Sequence, residues 1–231
     1  MNDLINSFFQ AIHLIVSFDE QVYNIIGRSL VISILSTLLA STFAVFFGVV
    51  IGSTSFWGRK TLVRIIHTFM GLPPVVAGLV VYLFLSRSGP LGMLQLLFTP
   101  AAMVIAQVLI VFPIVCGLTI ASVQSKSKPV LETCKSLGFR QVKSYLLLTY
   151  ECRFPLISAL LAGYGRAISE VGAVMLVGGN IQNSTRVMTT AIVLETGKGN
   201  YDQALALGII LLAVSFSVNW IVQKFQEDWQ R

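Results

Sequence analysis

Long apolar runs separated by short polar connections dominate the chain. A helix needs about 20 apolar residues to cross about 30 Å of hydrocarbon. Five runs reach that length: Ser29–Ile51, Ile65–Leu85, Ala101–Val123, Leu156–Val177 and Ala204–Val222. The first and third carry no charge, and the fourth carries Arg166 and Glu170. The stretch Leu4–Phe18 is apolar but short, and its polar residues Asn6, Gln10, His13 and Ser17 recur at intervals of four, three and four. That spacing forms one stripe of a helix and predicts an element lying in the membrane interface, with a sixth span as the alternative. Residues 1–28 thus read as an amphipathic interfacial segment and 29–231 as the membrane domain.

Composition narrows the class. Of 231 residues, 55% are hydrophobic and 11% charged. Soluble globular chains carry about a quarter charged residues, and disordered ones few large apolar side chains. An all-α membrane protein with five transmembrane helices is the fold expected. The N-terminus lacks a basic stretch, short apolar core and small-residue cleavage site, so the apolar runs read as spans. Cys116, Cys134 and Cys152 show no CxxC spacing, and His13 and His67 have no companions suited to a metal, so neither metal nor cofactor is expected.

The net charge of +6 is distributed unevenly. Connections after the first and third runs, with the C-terminal tail, hold Arg59, Lys60, Arg64, Lys126, Lys128, Lys135, Arg140, Lys143, Arg153, Lys224 and Arg231; the opposite connections hold Arg28, Arg87, Arg186 and Lys198. Lys and Arg are retained on the cytoplasmic side, which predicts an outer N-terminus and an inner C-terminus. The basic balance is then a topology signal and leaves no support for a nucleic-acid partner.

The longest polar stretch, residues 124–155, would face the cytoplasm. Ser127-Lys128-Pro129 has the form of a helix start and Gly138 that of a stop, predicting a short helix over Val130–Leu137. A second helix over Gln141–Glu151 would end before Pro155. Helix, glycine turn and helix make a shape able to dock into another protein, the alternative being an amphipathic surface loop.

This loop resembles that of the membrane subunits of ATP-binding-cassette (ABC) importers, which carry Glu-Ala-Ala, three residues, Gly, nine residues, Ile, one residue and Leu-Pro. Glu132, Thr133 and Cys134 stand for the first three, Gly138 keeps the spacing, and Leu148 stands for the isoleucine; Tyr150-Glu151 replaces Leu-Pro. The resemblance implies the type I importer transmembrane fold and a coupling surface, Glu132 to Lys135 with Gly138, Phe139 and Arg140, seated in a separate ATPase subunit. Two ATPase copies would serve a homodimer in the lipid bilayer, and an extracytoplasmic binding protein would deliver the cargo. The chain itself has no G-x-x-x-x-G-K-[ST] and would not be an enzyme.

Two further segments resemble the oxyanion permeases, which import molybdate, tungstate and sulfate. Gly165-Arg166-Ala167-Ile168-Ser169-Glu170-Val171-Gly172-Ala173 is similar to their Ala-Arg-x-x-Gly-Glu-Phe-Gly-Ala, and Leu72-Pro73-Pro74-Val75-Val76-Ala77-Gly78 to their Leu-Pro-Pro-Val-Val-x-Gly. Together with the outer loop Arg87–Gly92, they look most like the tungstate-type members. Pro73 and Pro74 would kink the second span. Arg166 and Glu170, four apart, would share a helix face, either locking the fourth span or bordering an anion path. Ser29, Ser33, Thr37 and Ser41 form one stripe at intervals of four and Ser36, Ala40, Ala44, Gly48 and Gly52 a second aligned with it, a small face serving close helix packing or an anion path. The outer stretch 178–203 would hold a short helix over Val187–Glu195, ended by Gly197.

An embedded enzyme would need a nucleophile with a base, or clustered ligands, in the spans, and none is visible. An autonomous channel would not require the docking loop.

Overall fold

The computed structural model describes residues 20–230 together with Phe8, Phe9 and Ile12. The interfacial helix expected over Leu4–Phe18, including Asn6, Gln10, His13 and Ser17, otherwise lies outside the described residues. Apolar sequence becomes helix almost throughout: α1 (Glu20–Ser53), α2 (Arg59–Met70), α3 (Pro74–Leu85), α4 (Pro100–Ser136), α5 (Gln141–Glu151), α6 (Arg153–Ile168), α7 (Gly172–Gly178), α8 (Met188–Lys198) and α9 (Tyr201–Gln230). In hydrocarbon every backbone group needs an internal partner, which helices supply locally. Three helices, α1, α4 and α9, are long and apolar enough to cross a membrane alone. The pairs α2 with α3 and α5 with α6 qualify only when each bent pair is taken together, so the described residues offer up to five crossings.

The helix boundaries correct several expectations. α1 begins nine residues before Ser29, so the boundary at residue 28 falls inside a helix. The second run is not one span: α2 ends at Met70, and Pro74 opens α3 at the first helical position, where its missing N–H costs nothing. Pro73 and Pro74 therefore stand at a break between two helices instead of kinking one. The fourth run is also broken, at 169–171, between α6 and α7.

The largest revision concerns α4. Thr99 accepts the Ala102 N–H through its hydroxyl at 3.4 Å and Pro100 follows at the first helical position, a conventional start. The helix then runs 37 residues through Pro113 and Pro129. Proline removes a backbone donor, yet membrane helices tolerate this when the freed carbonyl is taken up locally. Pro129 consequently starts nothing, and the separate helix expected over 130–137 is the last part of α4. At about 1.5 Å per residue α4 is about 55 Å long, about 25 Å more than the hydrocarbon is thick.

The chain divides into two compact units. One comprises Met1–Leu35, Pro74–Gln107 and Ile168–Arg231. In it α3 and α7 approach closely enough that a Cβ at Gly78 would stand 2.6 Å from Ala173 Cα, and one at Gly172 would stand 2.8 Å from Val75 Cγ2. The Ser29 hydroxyl accepts the Met188 N–H at 2.7 Å, tying α1 to the start of α8. Thr185 donates its hydroxyl to the Gly178 carbonyl and accepts the Ile181 N–H, which closes the turn after α7. α8 runs past Gly197 and stops at Gly199, whose φ of 83° suits glycine.

The other unit comprises Ser36–Pro73 and Val108–Ala167. Its main core gathers Ala40, Ala44 and Ile51 of α1, Ile66 of α2, Val111, Val115, Cys116 and Ile120 of α4, and Ala159 and Ala167 of α6. Small residues set the α1–α4 distance: a Cβ at Gly48 would meet Thr119 at 2.6 Å, and one at Gly52 would meet Val123 at 2.9 Å. Advancing four residues on each helix, these contacts make α1 and α4 run in the same direction.

Candidate functional site

The first candidate surface is built where α4 turns into α5. Leu137, Gly138 and Phe139 end α4 in a Schellman turn: Gly138 N–H donates to Lys135 O and Phe139 N–H to Cys134 O, both at 3.0 Å, with Gly138 at φ 69°. An L side chain is disfavoured there by its Cβ, which explains the glycine. Lys143 places its ammonium 4.3 Å from the Phe139 ring centroid, stiffening the start of α5. Glu132, Thr133, Lys135, Gly138 and Arg140 are exposed, whereas Cys134 is buried and Phe139 half-buried.

Two stripes at intervals of four divide α5. Ser144 and Leu148 are buried, and Cys152 just after the helix continues their line. Leu148, Cys152 and Leu156 join Val49 of α1 and Val123 of α4 in a second core, with Val130 and Leu131 packed against it. The other stripe, Val142, Leu146 and Tyr150, is exposed at 72, 67 and 57%, and Leu137 before the turn at 63%. Apolar side chains this exposed beside Lys135, Arg140 and Lys143 form a patch suited to a protein partner. The Lys126 ammonium of α4 donates to the Glu151 carbonyl at 2.9 Å, holding the far end of α5. α5 and α6 are bent by 67°, with Pro155 in the first turn of α6 instead of terminating α5. The outward stripe and the Lys126 tie escaped the loop motif, although the spacing 142, 146, 150 was legible as one helix face.

The second candidate is the broken fourth run. α6 ends at Ile168, two residues after Arg166, so the four-residue spacing to Glu170 is not a relation along one helix face. Glu170 lies in the break and is buried, 3% exposed. Its Oε1 accepts the Ala173 N–H at 3.0 Å, taking up a donor in the first turn of α7, and its main-chain carbonyl accepts the Thr189 hydroxyl at 2.9 Å. A carboxylate at a helix start is favoured by the exposed amides and the helix dipole. Glu170 thereby joins the break to α7 and α8. The sequence motif marked Glu170, but nothing in it pointed to Thr189.

Ser33, Thr37 and Ser41 are all buried, with Ser29 and Ser36. Thr37 lies beside Gly163 of α6, where a Cβ would meet Val115, Val111 and Thr37 methyl groups between 2.7 and 4.0 Å. The hydroxyl stripe of α1 thus faces protein, while Leu38, Leu39, Phe43 and Phe46 are exposed. Among the described residues no three His, Cys, Asp or Glu side chains assemble into a metal-ligating group.

Residues 44–230 match the family of binding-protein-dependent transport system inner membrane components. A tungstate uptake system permease protein of Peptoclostridium acidaminophilum is 40% identical over 228 residues, covering 99% of this chain and all of that one. A probable anion ABC transporter permease of Haloferax volcanii is 41% identical over 209 residues, covering 88% and 90%. Among solved structures, a bacterial alginate ABC transporter in complex with a pentasaccharide-bound periplasmic protein has a chain of the same fold, with TM-score 0.75 at 23% identity over 95% of this chain and 84% of that one. The turn-helix surface on α4 and α5, the broken run closed by Glu170 and a match over four-fifths of the sequence lead to one assignment: this chain belongs to the inner-membrane components of binding-protein-dependent transport systems.

Proposed function

We propose that the chain is the permease of an ATP-driven importer of a tetrahedral oxyanion, tungstate first. The observation that carries this reading is the end-to-end match to a tungstate uptake permease at 40% identity. The relative named for anion transport supports the broader cargo class. Molybdate and sulfate share the tetrahedral dianion shape and are the competing cargoes. Discrimination falls to a binding protein outside the membrane, because a pore wide enough for one such ion passes the others.

In this reading the N-terminus is outside, two copies pair about a two-fold axis, and two ATPase chains dock inside. Leu137, Val142, Leu146 and Tyr150 enter the ATPase groove, and Glu132 meets a basic partner there. ATP-driven closure pushes α5, and the push reaches α4 through the Lys126–Glu151 tie and the Leu148–Cys152 core. Because α4 is continuous from this surface into the membrane, it acts as a lever and opens the path by rigid-body movement. Few charges lie in the spans, which suits a path that must release a dianion.

Proteoliposomes containing the permease, its ATPase and its binding protein test the proposal. Hydrolysis and uptake should rise when the binding protein carries tungstate. Hydrolysis indifferent to the loaded binding protein would refute the importer reading, and stimulation by molybdate or sulfate alone would replace the cargo.

A further inference from the structure

α2 sorts its side chains onto three faces, and the sorting identifies the surroundings that it fits. At 100° per residue, Arg59, Val63, Ile66 and Met70 fall on one line of the helix. This line meets protein: Ile66 is buried with Val63 against the core, and Met70 lies against Gly117. Arg59 donates from Nε to the Ile51 carbonyl at 2.7 Å and from Nη2 to the Gly52 carbonyl at 3.3 Å, satisfying acceptors at the end of α1. Leu62, Ile65 and Phe69 form a second line, exposed at 37, 46 and 49%. Lys60, Arg64 and His67 form a third, also exposed. The helix geometry sets the apolar and basic lines roughly opposite each other, with the protein-facing line between them.

The inclination of α2 agrees with that division. Arg59 reaches the α1 carbonyls at the level where Gly52 meets Val123, whereas Met70 abuts Gly117, six residues earlier on α4. Six residues of α4 rise about 9 Å, while α2 is about 17 Å long, so α2 lies more across α4 than along it. A helix in this attitude, apolar on one side and basic on the other, suits the membrane interface. Phe56 and Trp57 precede it, with Trp57 98% exposed, and an open hollow of about 690 Å³ lies between them, Lys60 and Ile65. Tryptophan is enriched at this depth of a bilayer.

Charge identifies the partner. No Asp or Glu occurs between Glu20 and Glu132, so the basic edge of α2 has no acidic neighbour in sequence over more than one hundred residues. We propose that α2 is an in-plane anchor whose Lys60–Arg64 edge binds the phosphates of anionic phospholipids while Leu62, Ile65 and Phe69 enter the acyl region and Trp57 marks the boundary. The site is independent of the cargo and requires only that the permease be inserted.

The test uses the full chain in nanodiscs of phosphatidylcholine containing equal fractions of brominated phosphatidylglycerol or brominated phosphatidylcholine. Bromine quenches nearby tryptophan, and subtracting a Trp57→Phe variant removes the signal of the other two tryptophans, Trp220 and Trp229. Brominated phosphatidylglycerol should associate with Trp57 about fivefold or more preferentially, on the scale of one Lys or Arg at a charged surface. High salt should reduce the preference. Lys60→Gln with Arg64→Gln should equalise the two lipids yet leave quenching by phosphatidylcholine, which confirms that the variant remains inserted. If the double variant fails to insert, the wild-type salt titration decides. Equal quenching by both lipids, no quenching by either, or a preference that survives the double substitution or high salt would overturn the assignment.

Discussion

The Lys126 ammonium donates to the Glu151 carbonyl at 2.9 Å, closing a 25-residue excursion that contains the end of α4, the Gly138 turn and all of α5. The bond places a positive charge at the C-terminal end of α5, where the helix dipole favours it. It also links a membrane-crossing helix to the end of a helix whose outward face is apolar and exposed.

Removing the ammonium tests this link. Lys126→Met should cost only about 1 kcal/mol of stability, because the bond is exposed to solvent. If α5 transmits the ATPase movement, uptake per ATP hydrolysed should fall while insertion remains normal. A ratio equal to wild type in proteoliposomes would show that the tie is merely structural.

Gly138→Ala separates conformation from space. A Cβ there meets nothing within 4 Å, so the cost comes from φ 69° alone, about 1 kcal/mol. The variant should retain its fold and couple hydrolysis to uptake poorly. Gly197→Ala is the control: it also has open space but no positive φ, and should leave both stability and uptake essentially unchanged.

Gly78→Ala is a substitution of the opposite kind. Its Cβ would stand 2.6 Å from the Ala173 Cα, and backbone cannot yield as a flexible side-chain tip does. Overpacking of this type costs about 1–3 kcal/mol. A lower thermal midpoint of the detergent-solubilised permease should report it, and an unchanged midpoint would mean that α3 and α7 are not this close.

Glu170 should discriminate between amide and truncation. Glu170→Gln retains an oxygen able to accept the Ala173 N–H, whereas Glu170→Ala leaves that buried donor unpaired, at about 1–3 kcal/mol. The thermal midpoint should therefore fall more for the alanine variant. The reverse order would place the importance of Glu170 elsewhere than at the start of α7.

A pH dependence follows from the end of α8. The Lys198 ammonium and the Asn200 amide each donate to the Glu195 carboxylate at 2.8 Å and hold its pKa below the ordinary carboxylate value. A lowered folded-state pKa stabilises the folded form above the unfolded pKa. That contribution is lost as pH falls through the folded value, below about 4.5. Protection of the Gly199 and Asn200 amides, taken relative to the intrinsic exchange rate at each pH, should fall over this acidic range in wild type and not in Glu195→Gln.

Membrane class, five apolar runs, the α5 helix and the turn at Gly138 could all be read from the sequence, because each rests on local hydropathy or local backbone preference. Gln141–Glu151 forms over the residues expected, and Gly138 adopts the left-handed conformation that a helix stop requires. The inward and outward stripes of α5 follow from the same periodicity, although only the core around Leu148 decides which stripe is covered.

The breaks were settled by tertiary structure. Pro129 reads as a helix start, yet α4 passes through it and through Pro113, while the proline-free stretch 169–171 opens. Whether a membrane helix continues depends on whether its freed donors and acceptors find partners, and those partners come from elsewhere in the chain. Thr189 and the Ala173 amide, respectively, meet the Glu170 carbonyl and carboxylate, so the break is held by partners within the chain. The sequence by itself determined which segments belong in lipid, because transfer from water is a property of each side chain. The folded chain determined where those segments bend and which polar groups the bends bring together, because a backbone group freed at a break can find its partner far along the sequence, as the Glu170 carbonyl finds Thr189.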